Sequence, residues 1–92
     1  VEGAAPRITS PLRSSTYAMR LKEGSTAPIA FNATADASAH ALYWFVDDAY
    51  IGRVSPRETL FWQAPMAGEF AVRVVDDQGR SDMRRMQVTM VE

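Results

Sequence analysis

LYWFVDDAYIG at Leu42–Gly52, LFWQAPMAG at Leu60–Gly68 and EFAVRVVDDQGR at Glu69–Arg80 decide the fold. Each opens with an apolar run of strand length, alternates toward one face, and stops at glycine, proline or paired aspartates. In the first run, Leu42, Trp44 and Val46 fall on one side and Tyr43 and Phe45 on the other, because side chains along a strand repeat with period two. Both sides are apolar, so this strand has an inner face for a core and an aromatic outer face. The same alternation places Leu60 and Trp62 together, and sends Phe70, Val72 and Val74 inward.

Working outward, a short edge strand is expected at Arg7–Thr9, then strands over Tyr17–Leu21, Pro28–Ala35 (Ile29, Phe31 and Ala33 on one face), Ala41–Asp47, Tyr50–Arg53, Thr59–Gln63, Glu69–Val75 and Met83–Val91. In the last, Met86, Val88 and Met90 form the buried side. Turns are expected at Lys22–Thr26, at Asp47-Asp48, at Ala64–Gly68 and at Asp77-Gln78-Gly79, all rich in turn-forming residues. No heptad, amphipathic helix or internal repeat interrupts this pattern. About seven short strands spaced by turn signals predict an all-β fold, an immunoglobulin-like or fibronectin-like antiparallel β-sandwich; a small open barrel is the alternative. Residues 1–6 read as a linker and residues 7–92 as a single β-sandwich domain, since Pro6 and Pro11 disfavour a long ladder at the start.

The 92 residues suit one core, with 47% hydrophobic and 23% charged residues, near the globular average. The longest apolar run, Ala41–Val46, has six residues, far short of the ~20 that a membrane-spanning helix needs. A formal net charge of −1 argues against a nucleic-acid surface, and Arg80, Arg84 and Arg85 are interleaved with Asp76, Asp77 and Asp82, which reads as self-compensating surface rather than an anion site. Without cysteine, the fold rests on burial. With neither an initiating methionine nor a leader pattern, the chain reads as a piece of a larger protein.

The stretches RITSPLRSSTY (7–17), LYWFVDD and IG (42–52), W, AP and G (62–68) and VVDDQGRS (74–81) resemble the C-terminal domain family of bifunctional penicillin-binding proteins of the 1C type. The resemblance runs from about Ile8 to the last strand, and its marker positions fall on Pro11, Tyr17, Trp44, Asp47, Gly52, Trp62, Pro65, Gly68, Asp76, Gly79 and Arg80. One departure is visible, Asp48-Ala49 where the family has glycine soon after the acid. The resemblance implies a periplasmic accessory domain of an inner-membrane-anchored peptidoglycan synthase with glycosyltransferase and transpeptidase domains. It implies no catalysis by this domain.

The residues agree that this piece is not an enzyme. A transpeptidase S-x-x-K motif is absent: Lys22, the only lysine, has Met19 in the serine position. His40 stands alone, which suits neither a triad nor a zinc site. Asp47-Asp48 and Asp76-Asp77 would suit calcium only if their turns met at one end, and aspartate is a common turn former. Asn32-Ala33-Thr34 spells a glycosylation sequon in mid-strand. No cofactor and no metal is expected. Trp44 and Trp62, although sugar-stacking candidates, fall on inward faces and read as a core pair.

The candidate interaction face is therefore the outward set Tyr43, Phe45, Arg73, Val75, Arg85 and Gln87, contiguous if their strands are neighbours as the third, sixth and seventh strands of such sandwiches are. Its expected occupant is the protein's own transpeptidase domain or a periplasmic protein, with peptidoglycan glycan or stem peptide as the alternative. The competing reading is that Phe45 packs beneath the Tyr50 hairpin or the N-terminal linker.

Overall fold

The computed structural model describes residues 3–24 and 26–91. Strands form at β1 (Arg7–Ser10), β2 (Ser15–Arg20), β3 (Ile29–Thr34), β4 (Leu42–Val46), β5 (Ala49–Val54), β6 (Leu60–Trp62), β7 (Gly68–Asp76) and β8 (Ser81–Val91). They make two sheets, a three-stranded one in the order β1-β3-β6 and a five-stranded one in the order β2-β8-β7-β4-β5. The expected all-β sandwich is thus present, with eight strands among the described residues rather than about seven. One pairing departs from the antiparallel expectation: β2 runs parallel to β8, Ser15 opposite Met86 through Arg20 opposite Val91. The cause is the Pro11–Ser14 corner, where the chain leaves β1 in one sheet and crosses to the edge of the other. Ser14 takes a left-handed φ of 59° there, and the Ser10–Pro11 peptide is cis.

The core lies between the sheets and follows the alternation. Leu42, Trp44 and Val46 of β4 are buried beside Val72 and Val74 of β7, Met86 and Val88 of β8, and Ile29 and Phe31 of β3. Each fully buried aliphatic or phenyl group of this set contributes roughly 1.5–3 kcal/mol of transfer free energy. The expected tryptophan pair is instead a chain of rings: Phe31 sits between Trp44, at 5.3 Å, and Trp62, at 5.8 Å, and Trp62 meets Phe70 edge-on at 5.2 Å. Met90 differs from its expected burial, being 49% exposed. Its alternation is right but the sheet ends first, since β7 begins at Gly68 opposite Val88 and leaves Met90 only β2 beside it.

Polar side chains close the sandwich at its seams. Asp82, pointing inward from β8, accepts a hydrogen bond from the Ile8 amide at 2.9 Å and so satisfies the free edge of β1. Thr26 is buried, its hydroxyl accepting from the Ala64 amide at 3.0 Å and its carbonyl from Gln63 Nε2 at 2.9 Å. The β4–β5 hairpin answers the departure at Asp48-Ala49: Asp47 and Asp48 both adopt left-handed φ, 48° and 70°, the pair of signs a two-residue hairpin of matching twist requires. Asp47 further accepts from the Ala71 amide at 2.8 Å, which fastens the turn to β7. Of the expected linker, residues 1 and 2 lie outside the described residues, as do residue 25 of the expected Lys22–Thr26 turn and residue 92. Within the rest, the Ala4 amide reaches Asp36 at 3.3 Å and Pro6 is buried.

Candidate interaction face

Register assembles the outer face of the five-stranded sheet. Tyr43 stands opposite Val75 and Phe45 opposite Arg73, which faces Met83 on the other side. Further along β7, Ala71 stands opposite Arg85 and Glu69 opposite Gln87. All six candidate residues therefore share one surface, on three adjacent strands, running obliquely from Tyr43 to Gln87.

Two residues of the β4–β5 hairpin complete it. Trp44 pairs with Gly52 but Phe45 with Tyr50, so Ile51 is an extra residue in β5. Such a bulge turns two successive side-chain positions to one side. Ile51 and Gly52 both face the core, where a side chain at Gly52 would meet Leu60 at 3.3 Å. Tyr50 and Arg53, three apart, consequently both reach the outer face. Tyr50 lies 5.7 Å from Phe45 with the rings tilted by 59°, and the Arg53 guanidinium sits 5.9 Å over the Tyr43 ring. Phe45 is thus half-covered by Tyr50, as the competing reading held, while Tyr50 itself is 59% exposed. The surface is mixed: tilted aromatics, Arg53, Arg73 and Arg85, with Glu69 as the acid on its strands among the described residues. A cation over an aromatic face is worth ~0.5–1 kcal/mol at an exposed site, which helps hold Tyr43 and Arg53 in place.

The remaining candidates separate in space. Since Val46 pairs with Val72 and Leu42 with Asp76, the Asp47-Asp48 and Asp76-Asp77 turns sit at opposite ends of the sheet, at least ~13 Å apart at strand rise. The four carboxylates do not meet. At the second end, Asp76 is buried and paired with Arg80 Nε at 2.8 Å; its other oxygen accepts the Gln78 and Arg80 amides, both at 2.9 Å. Arg80 Nη2 donates to Ser38 Oγ at 2.9 Å, and Ser38 in turn donates to Asp36 at 2.7 Å, linking the β7–β8 turn to the β3–β4 loop. The Ser38 hydroxyl, then its amide, then the Ala4 amide draw the Asp36 carboxyl down from 3.8 to about 2. Amide donation from His40 lowers Asp77, and from Ser55 lowers Glu58. His40, 80% exposed, places Nδ1 3.4 Å from Asp77. Asn32 of the sequon accepts from Thr59 Oγ1 at 2.6 Å. A groove of about 720 Å3 runs between these loops along Asn32–Ala37, Ala39 and Ser55–Arg57, with no aromatic residue in its lining.

The sequence profile of the penicillin-binding protein C-terminus family matches residues 1–88. The chain belongs to that family. No curated protein matches it. Among solved structures, fibronectin(III)-like modules of Clostridium thermocellum CbhA are similar, with a TM-score of 0.72 and 17% identity, covering 94% of this chain. The chain spans 46% of the length of that solved chain, and the likeness establishes the fold, a fibronectin(III)-like sandwich. In this penicillin-binding protein C-terminus domain, the residues that carried the resemblance hold the fold. Trp44 and Trp62 belong to the ring chain, Asp47 makes the hairpin, Gly52 lies under Leu60, and Asp76 with Arg80 closes the far end. None of these marker positions lies on the outer face, although Tyr43, Phe45 and Val75 of the same stretches do.

Proposed function

We propose that this domain is a non-catalytic accessory module of a periplasmic, inner-membrane-anchored peptidoglycan synthase of the 1C type, and that it docks onto protein through the outer face of its five-stranded sheet. Tyr43, Phe45, Arg73, Val75, Arg85 and Gln87 would form the contact, extended by Tyr50 and Arg53, against the synthase's own transpeptidase domain or a periplasmic partner. The observation that carries this reading is the face's character. Glycan modules present rings as platforms along a groove, whereas here Phe45 and Tyr50 are tilted by 59° and interleaved with arginines. Tyrosine and arginine gathered on one face are the composition of protein hot spots.

The test is chemical-shift mapping of the labelled domain, titrated separately with the matching transpeptidase domain and with soluble peptidoglycan fragments. Docking is expected to move the amides of Tyr43, Phe45, Arg73 and Tyr50 with the protein alone, and Tyr43→Ala is expected to weaken that complex by ~30-fold, the scale of a hot spot of about 2 kcal/mol. The same shifts produced by peptidoglycan fragments alone would replace docking with wall binding.

A further inference from the structure

The corner where the chain changes sheets carries an arginine groove separate from the docking face. It measures about 630 Å3, lies between the Ala4–Arg7 segment and the start of β8, and is lined by Arg7, Arg13, Asp82 and Arg84. That volume is within the ~300–1,000 Å3 of small-ligand sites. Asp82 is its one carboxylate, and both oxygens are already engaged, Oδ2 by the Ile8 amide and Oδ1 by the Met83 amide, each at 2.9 Å. Among the described residues, none of the three arginines pairs with a carboxylate. Three guanidinium groups and one carboxylate thus line the groove, an excess of positive charge on a chain of net charge −1.

Arg84 is the centre of the arrangement. Its Nη1 donates to the Pro11 carbonyl at 3.2 Å, which anchors the guanidinium at the corner, while its Nε is buried and closed to a ligand, so the Nη1–Nη2 edge is the one an anion can approach. The fork that the two terminal nitrogens of a guanidinium present matches two oxygens of one planar or tetrahedral anion. Arg7 and Arg13 are exposed at the rim, where a second and third charge can reach the same ligand.

We propose that this groove binds an oxyanion, a carboxylate or phosphate group of a small ligand, with Arg84 as the bidentate donor and Arg7 and Arg13 as rim charges. The site stands independently of the docking reading. The experiment follows the arginine Nε–Hε signals of the 15N-labelled chain during titration with inorganic phosphate and, separately, with glutarate, at ionic strength held constant with sodium chloride. The Arg84 signal is expected to shift and saturate. A response to phosphate alone assigns a phosphate ligand, a response to glutarate alone a carboxylate, and a response to both the shared chemistry. Arg7→Gln and Arg13→Gln, which break no hydrogen bond of the corner, are each expected to weaken the apparent affinity ~3- to 10-fold, as befits solvent-screened charges. Arg84→Lys keeps the charge, loses the fork, and is expected to weaken it by more than ~10-fold. Arg57→Gln in the β5–β6 loop is expected to leave it unchanged. Absence of a saturating shift with either anion, or equal shifts at Arg57 and Arg84, overturns the proposal; so does unchanged affinity in both rim variants.

Discussion

The middle of the sandwich and its polar end are held by opposite means. In the middle, Trp44, Phe31, Trp62 and Phe70 touch ring to ring within a cluster of buried apolar side chains. At the end where Leu42 meets Asp76, two connections far apart in sequence, the β3–β4 loop and the β7–β8 turn, are tied by short polar contacts, Asp76 to Arg80 to Ser38 to Asp36 and His40 to Asp77, while Ser55 to Glu58 closes the β5–β6 loop on itself. Burial in the middle is non-directional and scales with area, so it sets most of the stability. The contacts at the end are directional and partly solvated, so they fix the position of loops while adding less.

The largest effect is therefore expected in the middle. Trp44→Ala removes the fully buried end of the ring chain and should destabilise by ~3–5 kcal/mol, read as a shift of the urea midpoint with little change in slope. Trp44→Phe sharpens the point. The indole Nε1 of Trp44 is buried without a hydrogen-bond partner, so phenylalanine loses volume but also removes an unsatisfied donor. Its cost should stay below ~2 kcal/mol. A Phe variant as unstable as the Ala variant would mean that the indole makes a polar contact the ring chain does not explain.

The same division separates what the residues revealed from what they concealed. Period-two alternation is a local property, and it placed Leu42, Trp44, Val46, Phe70, Val72 and Val74 inside before any contact was known. The bulge at Ile51 is one inserted position with Gly52 as its sole local trace, and missing it kept Tyr50 and Arg53 off the outer face. The parallel pairing of β2 with β8 has no local signal, since it depends on a corner that sends the chain to the other sheet. Asp76 is instructive because its signal was present: it continues the parity of Phe70, Val72 and Val74 and has Arg80 four residues on, yet read as a turn former it appeared solvated. The candidate face was legible strand by strand, while the arginine groove was not, because Arg7, Arg13 and Arg84 converge only through the fold.

At the polar end, the next effect in size comes from Asp76. Its side chain is fully buried and that of Arg80 is 16% exposed, so Asp76→Ala strands a nearly buried guanidinium and two backbone donors. The expected cost is ~2–4 kcal/mol, near the lower range for breaking a buried pair, because Arg80 keeps Ser38 and some solvent. Asp76→Asn retains an acceptor for the turn amides and should cost about half as much. If Asp76→Ala proved as damaging as Trp44→Ala, the end would be part of the core and the contrast would fail.

The smallest effect is a pH dependence confined to that end. Asp36, drawn from 3.8 to about 2 chiefly by the Ser38 hydroxyl, binds its proton less readily folded than unfolded. Asp77 and Glu58, lowered first by the His40 and Ser55 amides, behave alike. Each thus contributes stability that is complete above its unfolded pKa and is lost as pH falls through its folded one. For Asp36 that window runs from about 4 down to about 2. These carboxylates are solvent-accessible, so the loss should appear as local loosening before global unfolding. Amide exchange across this range is expected to lose protection first at Ser38 and His40, whose N–H groups donate to Asp36 and Asp77, while amides of Trp44 and Val74 hold. Asp36→Asn should remove the Ser38 part of that response at every pH. Simultaneous loss of protection in both regions would show that acid acts on the sandwich as one cooperative unit, and that the polar end has no stability of its own to lose.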